Sequence, residues 1–396
     1  MSNDFEQSYL FENVDATEET GQVDLTVDDF SQLIIAPSDW TIETLYSQIG
    51  KQIDLDPAFQ RRGVWNTVAK SRFIESIFLG IPIPQILFSS KQGSKGAFLV
   101  LDGKQRLITI KEFLDGKHDD GKVFKLKELR VLKELNGKSW ADISKDEDWK
   151  YRLLNETQRT AIIRGWENEQ VLYEIFFRLN SGSVKLSPME LRMSLHPGEF
   201  LKFIIRWTER VGPLHELLNK RVPDPRMADV ELAIRYLAFS DPEITYQGDL
   251  KKYLDDICLL YNDKFRNDPE FQETIASKLD GMDAAIETGF AVFDKSNFGH
   301  KFIEDSYERR FNRAVFDVQV GSLSFPAVRD FALANRDIFR NAFETVSKDP
   351  NFQRAVETTT KSVLSTKTRF EKWYSTITEI SGLELNVPNI EHEDAN

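Results

Sequence analysis

The feature that most constrains this chain is the stretch Leu101-Asp102-Gly103-Lys104-Gln105-Arg106. The apolar run Ala97 to Val100 before it predicts a buried strand, and Leu107 to Leu114 after it predicts a helix. A strand that breaks at Asp-Gly and restarts as a helix leaves backbone N–H groups and the positive end of a helix dipole aimed at one spot. Phosphate binds well at such a spot. Here the spot also carries a carboxylate, a lysine, an amide and an arginine, a mixture suited to a nucleotide and its metal. The plain alternative is a tight turn in which Asp102 caps the helix and Arg106 lies on its exposed first turn. The loop alone does not choose between them.

A second cluster bears on that choice. Gln60-Arg61-Arg62 follows the strand-like Ile53-Asp54-Leu55 and Pro57. Two arginine-bearing loops on strand ends of one sheet can converge on one anion, and guanidinium groups clamp phosphate bidentately. The competing reading of Arg61 and Arg62 is a solvated pair ahead of a packed Trp65.

Other chemistries find little support. Asn136-Gly137-Lys138-Ser139 imitates the end of a P-loop, but the glycine needed five residues before Gly137 is Leu132. A helix-terminating turn explains it better. No dinucleotide fingerprint follows any strand. His118, His196, His215, His300 and His392 are scattered, and no pair has the spacing of metal ligands on a helix. His300 is the one to watch, though an exposed or capping histidine is favoured. No serine sits in a nucleophile elbow. The single cysteine, Cys258, excludes an internal disulfide and any multi-cysteine zinc site, and its apolar helical surroundings predict an inert buried thiol.

The 396 residues suffice for two or three domains with full cores. The net charge of -13 is uneven, because the first fifty residues hold no Lys or Arg. Without its two acidic ends the chain is close to neutral, so bulk charge does not point to a dedicated nucleic-acid binder. No signal peptide and no membrane span are expected, and the cytoplasm is the expected location.

Along the chain, the expected organisation is an acidic flexible leader (1–35), a compact α/β domain (36–186), a mainly helical domain (187–382) and an acidic tail (383–396). Helices are predicted over Thr41–Ile49, Thr67–Leu79 with Asn66 as N-cap, and Glu169–Leu179; strands over Ile83–Phe88, 97–101 and Thr160–Trp166. Trp140 and Trp149 should anchor the charged stretch 116–158. Ser187-Pro188-Met189-Glu190 reads as a helix start, and helical periodicity continues almost throughout to about 380.

The pattern Phe59-Gln60-Arg61, Val64-Trp65, Gly80-Ile81-Pro82-Ile83-Pro84 and Leu101 to Leu107 resembles the GmrS-type N-terminal domain of GmrSD restriction enzymes. So do Ile175 to Gly182 and Leu186 to Arg192. The resemblance covers roughly 38–200 well. It implies a ParB/sulfiredoxin-like fold, and hence an α+β chain once the helical domain is added. It also implies nucleoside-triphosphate binding and hydrolysis with Mg²⁺, used in restriction-like, phage-defence systems of prokaryotes against foreign DNA. By motif, Asp102, Gly103, Gln105 and Arg106 would form the nucleotide site, with Gln60 and Arg61 opposite. Asp102 would orient Mg²⁺ or the attacking water, and Arg61 and Arg106 would hold phosphates. The family usually has Gln where this chain has Lys104, which could add a phosphate contact or point to solvent. The HNH-type nuclease domain of these enzymes needs a histidine base beside metal ligands, which nothing after residue 200 supplies. The expected partners are a nucleoside triphosphate, DNA and a separate nuclease or effector protein, with no membrane. Whether the chain turns the nucleotide over is left open. The alternative is a non-enzymatic DNA- or protein-binding module with a degenerate nucleotide site. Its basic and aromatic stretches would be Lys301 to Arg313 and Lys367 to Tyr374.

Overall fold

The computed structural model describes residues 26–53, 55, 65–90, 96–118, 121–166, 171–172, 174–175, 187–357 and 360–391. Its contacts divide the chain between Leu186 and Ser187 into two compact units.

The first unit contains α1 (Val27–Ser31), β1 (Ile34–Thr41), α2 (Ile42–Gln48), α3 (Thr67–Phe78), β2 (Ile86–Ser90), β3 (Phe98–Asp102), α4 (Lys104–Asp115), α5 (Trp140–Ile143), α6 (Glu147–Leu154) and β4 (Thr157–Arg164). The four strands form one mixed sheet in the order β1-β4-β2-β3. β4 runs antiparallel to β1 and parallel to β2, and β2 runs antiparallel to β3. The aromatic and β-branched residues of β2, β3 and β4 suit a pleated surface covered by side chains. Phe88, Val100 and Ile162 from the strands meet Ile74, Ile77 and Phe78 of α3 and Leu107, Ile110 and Phe113 of α4 in one core.

Local signals set the helix ends. Asn66 caps α3, its side chain accepting the Ala69 N–H at 2.9 Å. Thr41 caps α2 in the same way. Trp149 packs edge-on against Phe78 and Trp140 against Phe113, which anchors the charged stretch between α4 and β4. At the P-loop imitation, Gly137 takes φ +80° and Ser139 opens α5 with a capping box to Asp142. Those residues make a turn and a cap, as expected.

The second unit contains α7 (Pro188–Leu195), α8 (Glu199–Thr208), α9 (Pro213–Leu217), α10 (Ala228–Phe239), α11 (Leu250–Asn267) and α12 (Phe271–Phe293). A hairpin of β5 (His300–Ile303) and β6 (Ser306–Phe311) follows. Then come α13 (Arg313–Leu323), α14 (Pro326–Ala334), α15 (Arg336–Ser347), α16 (Pro350–Glu357) and α17 (Val363–Ser381). The class is α+β. The hairpin corrects the expectation of near-continuous helix: Phe302 and Tyr307 face one another across it with ring centroids 5.0 Å apart, a cross-strand pair that a helix would not make.

α10 and α13 form the buried centre of this unit, and every residue of α10 from Asp229 to Phe239 is buried. The buried charges named at that centre meet opposite charges. Asp317 takes both Nε and Nη2 of Arg235, at 2.6 and 2.7 Å, and Nη2 of Arg369 at 3.1 Å. Arg313 meets Glu231 at 3.1 Å, and Arg192 of α7 meets Asp255 at 2.6 Å. Cys258 is fully buried, and burial pushes its thiol pKa well above the ordinary range, so it is packing.

Candidate functional site

β3 ends at Asp102 and α4 begins at Lys104, so Gly103 alone makes the turn. Its φ of +95° is a left-handed conformation that L side chains rarely adopt. A Cβ there would also meet Ile86 Cγ1 at 2.9 Å and Arg106 Nη2 at 3.2 Å. Glycine is therefore required twice, by dihedral and by space. No side chain caps this end of α4. Its first-turn N–H groups and the positive end of its dipole face whatever lies beyond the strand.

Arg106 is buried, and its guanidinium grips the protein itself. Nη2 donates to Asp102 Oδ2 at 2.7 Å, and Nη1 donates to the carbonyls of Pro84 and, at 3.3 Å, Gln85. The Asp102 side chain stays 42% exposed. In this conformation Arg106 fixes the carboxylate and the entry to β2, and phosphate would compete with Asp102 for its donors. Gln105 accepts the Trp65 N–H through Oε1 at 3.3 Å, while its Nε2 is shut off from solvent and has no hydrogen-bond partner. Lys104, at the first position of α4, is half-buried. The structure thus brings Asp102, Gly103, Lys104, Gln105 and Arg106 together. Gln60 and Arg61, the expected opposite side, lie outside the described residues.

Behind α4 is a charged group that the sequence reading passed over. Lys70 of α3 donates to both carboxylate oxygens of Glu112, at 2.7 and 2.6 Å, and His118 Nδ1 donates to Oε2 at 2.7 Å. Lys70 and Glu112 are almost fully buried. A signal was present: each falls on the apolar face of its helix, beside Phe73 and Ile74 or Ile108 and Phe113. Glu75 is a second such residue. Its carboxylate accepts the backbone N–H groups of Arg130, Val131 and Leu132 at 3.1, 2.7 and 2.9 Å. Burial pushes its pKa up, but these three donors and Arg72 together outweigh burial, and the net pKa is lowered.

The stretches proposed for nucleic-acid stacking are corrected by their burial. Phe370, Trp373 and Tyr374 are core residues, and Arg369 is locked to Asp317. Alternation of bases and aromatics here records a helix with one buried face. In the other stretch Arg313 is buried on Glu231 and Lys301 pairs with Glu308 at 3.2 Å, leaving Arg309 and Arg310 exposed on β6. His300 is a packed hairpin residue: Nδ1 donates to the Glu308 carbonyl at 2.8 Å, and burial lowers its pKa. Among the described residues no group of three or more His, Cys, Asp or Glu side chains could hold a metal ion. No helix among them is long and apolar enough to cross a membrane.

The first unit thus presents an Asp-Gly turn feeding a helix whose first turn carries Gln and Arg. Residues 42–197 match the family described as the GmrSD restriction endonuclease, N-terminal domain. No curated protein and no solved structure matches the chain.

Proposed function

We propose that the first unit binds a nucleoside triphosphate with Mg²⁺ at the β3–α4 turn, as one component of a prokaryotic defence system that acts with a separate effector. The observation that carries this reading is the combination at one turn of a half-exposed carboxylate, an uncapped helix start and a buried amide donor without a partner. A phosphate oxygen supplies the acceptor that Gln105 Nε2 lacks. The helix dipole favours negative charge at the same place. Asp102 is held by Arg106 in a single orientation and keeps one side open.

The residues present fit magnesium. Mg²⁺ is commonly held by one or two carboxylates together with substrate phosphates and water. Asp102 is the carboxylate in reach, and the nucleotide would bring the remaining oxygens. Bound there, the ion neutralises charge on the phosphates. The chain's own contributions are orientation and charge: the α4 N–H groups and Gln105 position the phosphates, and Asp102 aligns the attacking water for in-line transfer.

Calorimetry with ATP, GTP, CTP and UTP in the presence of Mg²⁺ tests the reading. At least one should bind, and Asp102→Asn and Gln105→Ala should each weaken it tenfold or more with unchanged circular dichroism. Binding equal to wild type in both variants would sink the proposal. Phosphate release, with and without duplex DNA, then reports turnover.

A further inference from the structure

A cavity of about 520 Å³ opens in the helical unit between α10, α13, α17 and the chain after Gly382. Its walls are aromatic. Phe239 and Phe370 lie with ring centroids 5.2 Å apart, Phe316 and Tyr374 extend the lining, and Phe370 meets Tyr374 edge-on at 5.6 Å. Gly321 gives Tyr374 its room, since a Cβ there would approach the phenol oxygen to 2.7 Å.

The polar lining is rich in acceptors. Asp241 is fixed by the Tyr261 hydroxyl on Oδ2 at 2.5 Å and by the Glu243 N–H on Oδ1 at 2.7 Å. Asp317 is fixed by Arg235 and Arg369. The Asp317 carboxylate is closed off and spent on those two guanidinium groups, whereas Asp241, with two donors on about four lone-pair sites, retains acceptor capacity. Among the described lining residues there is no Lys, Arg or His.

The last wall is the extended segment Asn386 to Asn389, tied down at its C-terminal end. The Tyr246 N–H donates to the Asn389 carbonyl at 2.8 Å, the Glu391 N–H donates to the Tyr246 carbonyl at 3.2 Å, and Asn389 Nδ2 donates to the Pro242 carbonyl at 2.5 Å.

We propose that this cavity is a second binding site, for a planar aromatic ligand that carries an amino or amidino group and no phosphate. Flat rings gain from aromatic walls, and a cationic or N–H-rich edge gains from the Asp241 carboxylate already held in place. A phosphate or carboxylate buried against this lining would have no cationic side chain to pair with, which is costly. The volume falls within the usual range for small-ligand sites. The site belongs to the helical unit and does not depend on the nucleotide reading of the first.

Isothermal calorimetry on the full chain, with benzamidine, adenine and benzoate as probes, decides it. Benzamidine and adenine should bind, and benzoate, the acidic counterpart of benzamidine, should bind at least tenfold more weakly. Asn386→Trp, at an exposed position on the segment that closes the cavity, and Ser324→Trp, at its rim, should each reduce benzamidine binding tenfold with unchanged circular dichroism. Asp102→Asn should leave it unchanged. The proposal is overturned if neither benzamidine nor adenine binds, if benzoate binds as well as benzamidine, or if both tryptophan variants bind like wild type.

Discussion

Arg106 holds Asp102 through a single 2.7 Å bond from Nη2 to Oδ2, one helical turn apart, and ties the same guanidinium to the Pro84 carbonyl. The pair joins the end of β3 to the approach to β2. Removing the arginine should therefore damage both the fold and the orientation of the carboxylate. Arg106→Ala should cost about 1–3 kcal/mol in urea unfolding, since it removes the hydrogen bonds of a buried guanidinium to a carboxylate and to the β2 approach together with its packing. Arg106→Lys should recover less than half of that, because an ammonium cannot span the carboxylate and the carbonyl as a fork does.

Gly103→Ala isolates the turn from its chemistry. The left-handed φ and the 2.9 Å approach to Ile86 predict a loss of about 1–2 kcal/mol or more. Gly137→Ala, also at positive φ but with open space around its Cβ, should cost less. Thermal unfolding of the two variants side by side measures the difference due to crowding.

Glu75 makes stability depend on acid. Its folded pKa lies below the unfolded carboxylate value of about 4.3, so its contribution is fully present above that value. It is lost as pH falls through the depressed folded pKa. Glu75→Gln should lower stability by about 1–3 kcal/mol at pH 7 and flatten the decline in stability below about pH 4. Urea midpoints at pH 7, 5 and 3 check both halves.

Asp283 should behave in the opposite sense. Burial raises its pKa to about 6, against the pull of Arg210. The folded state then binds more protons than the unfolded state between about pH 4 and pH 6, and stability falls as pH rises through that window. Asp283→Asn should raise stability by about 1 kcal/mol at pH 7 and make no difference near pH 3. An equal gain at both pH values would contradict the titration.

Asp317 neutralises two guanidinium groups at the centre of the helical unit. Asp317→Asn should destabilise by about 3–5 kcal/mol, the cost of buried charge left uncompensated. Adding Arg369→Met to Asp317→Asn should recover part of that loss, because one of the two stranded cations is then gone. The double variant's unfolding midpoint against the single variant's is the measurement.

What could be read beforehand was local. Asn66, Thr41 and the Asp102-Gly103 break announce their roles through side-chain oxygens and a missing Cβ, which act within a few residues. The β5–β6 hairpin stayed hidden because its two turn residues, Glu304 and Asp305, take φ of +49° and +61° without the Asn-Gly signal such turns prefer. The pairing of Lys70 with Glu112 spans 42 residues, and that of Arg235 with Asp317 spans 82, so no spacing rule reaches them. The aromatics of α17 were misread because a helix buried on one face and a helix that presents stacking rings share one periodicity. At the candidate site, the residues were legible and their wiring was not: Arg106 looked outward in sequence and turns inward in the fold.

The family match extends to residue 197, whereas the division into units falls after Leu186. Helix α7 lies between the two limits, with Met189, Arg192 and Met193 buried and Arg192 bonded to Asp255 of α11. The match thus runs one helix past the first unit at its C-terminal end and begins after α1 and β1 at the other. A polypeptide ended at residue 197 would lose the Asp255 partner of Arg192 and the cover over the thioethers of Met189 and Met193. Evolution's unit and the physical unit are offset at both ends, and α7 is the helix claimed by the family match and built into the core of the second unit.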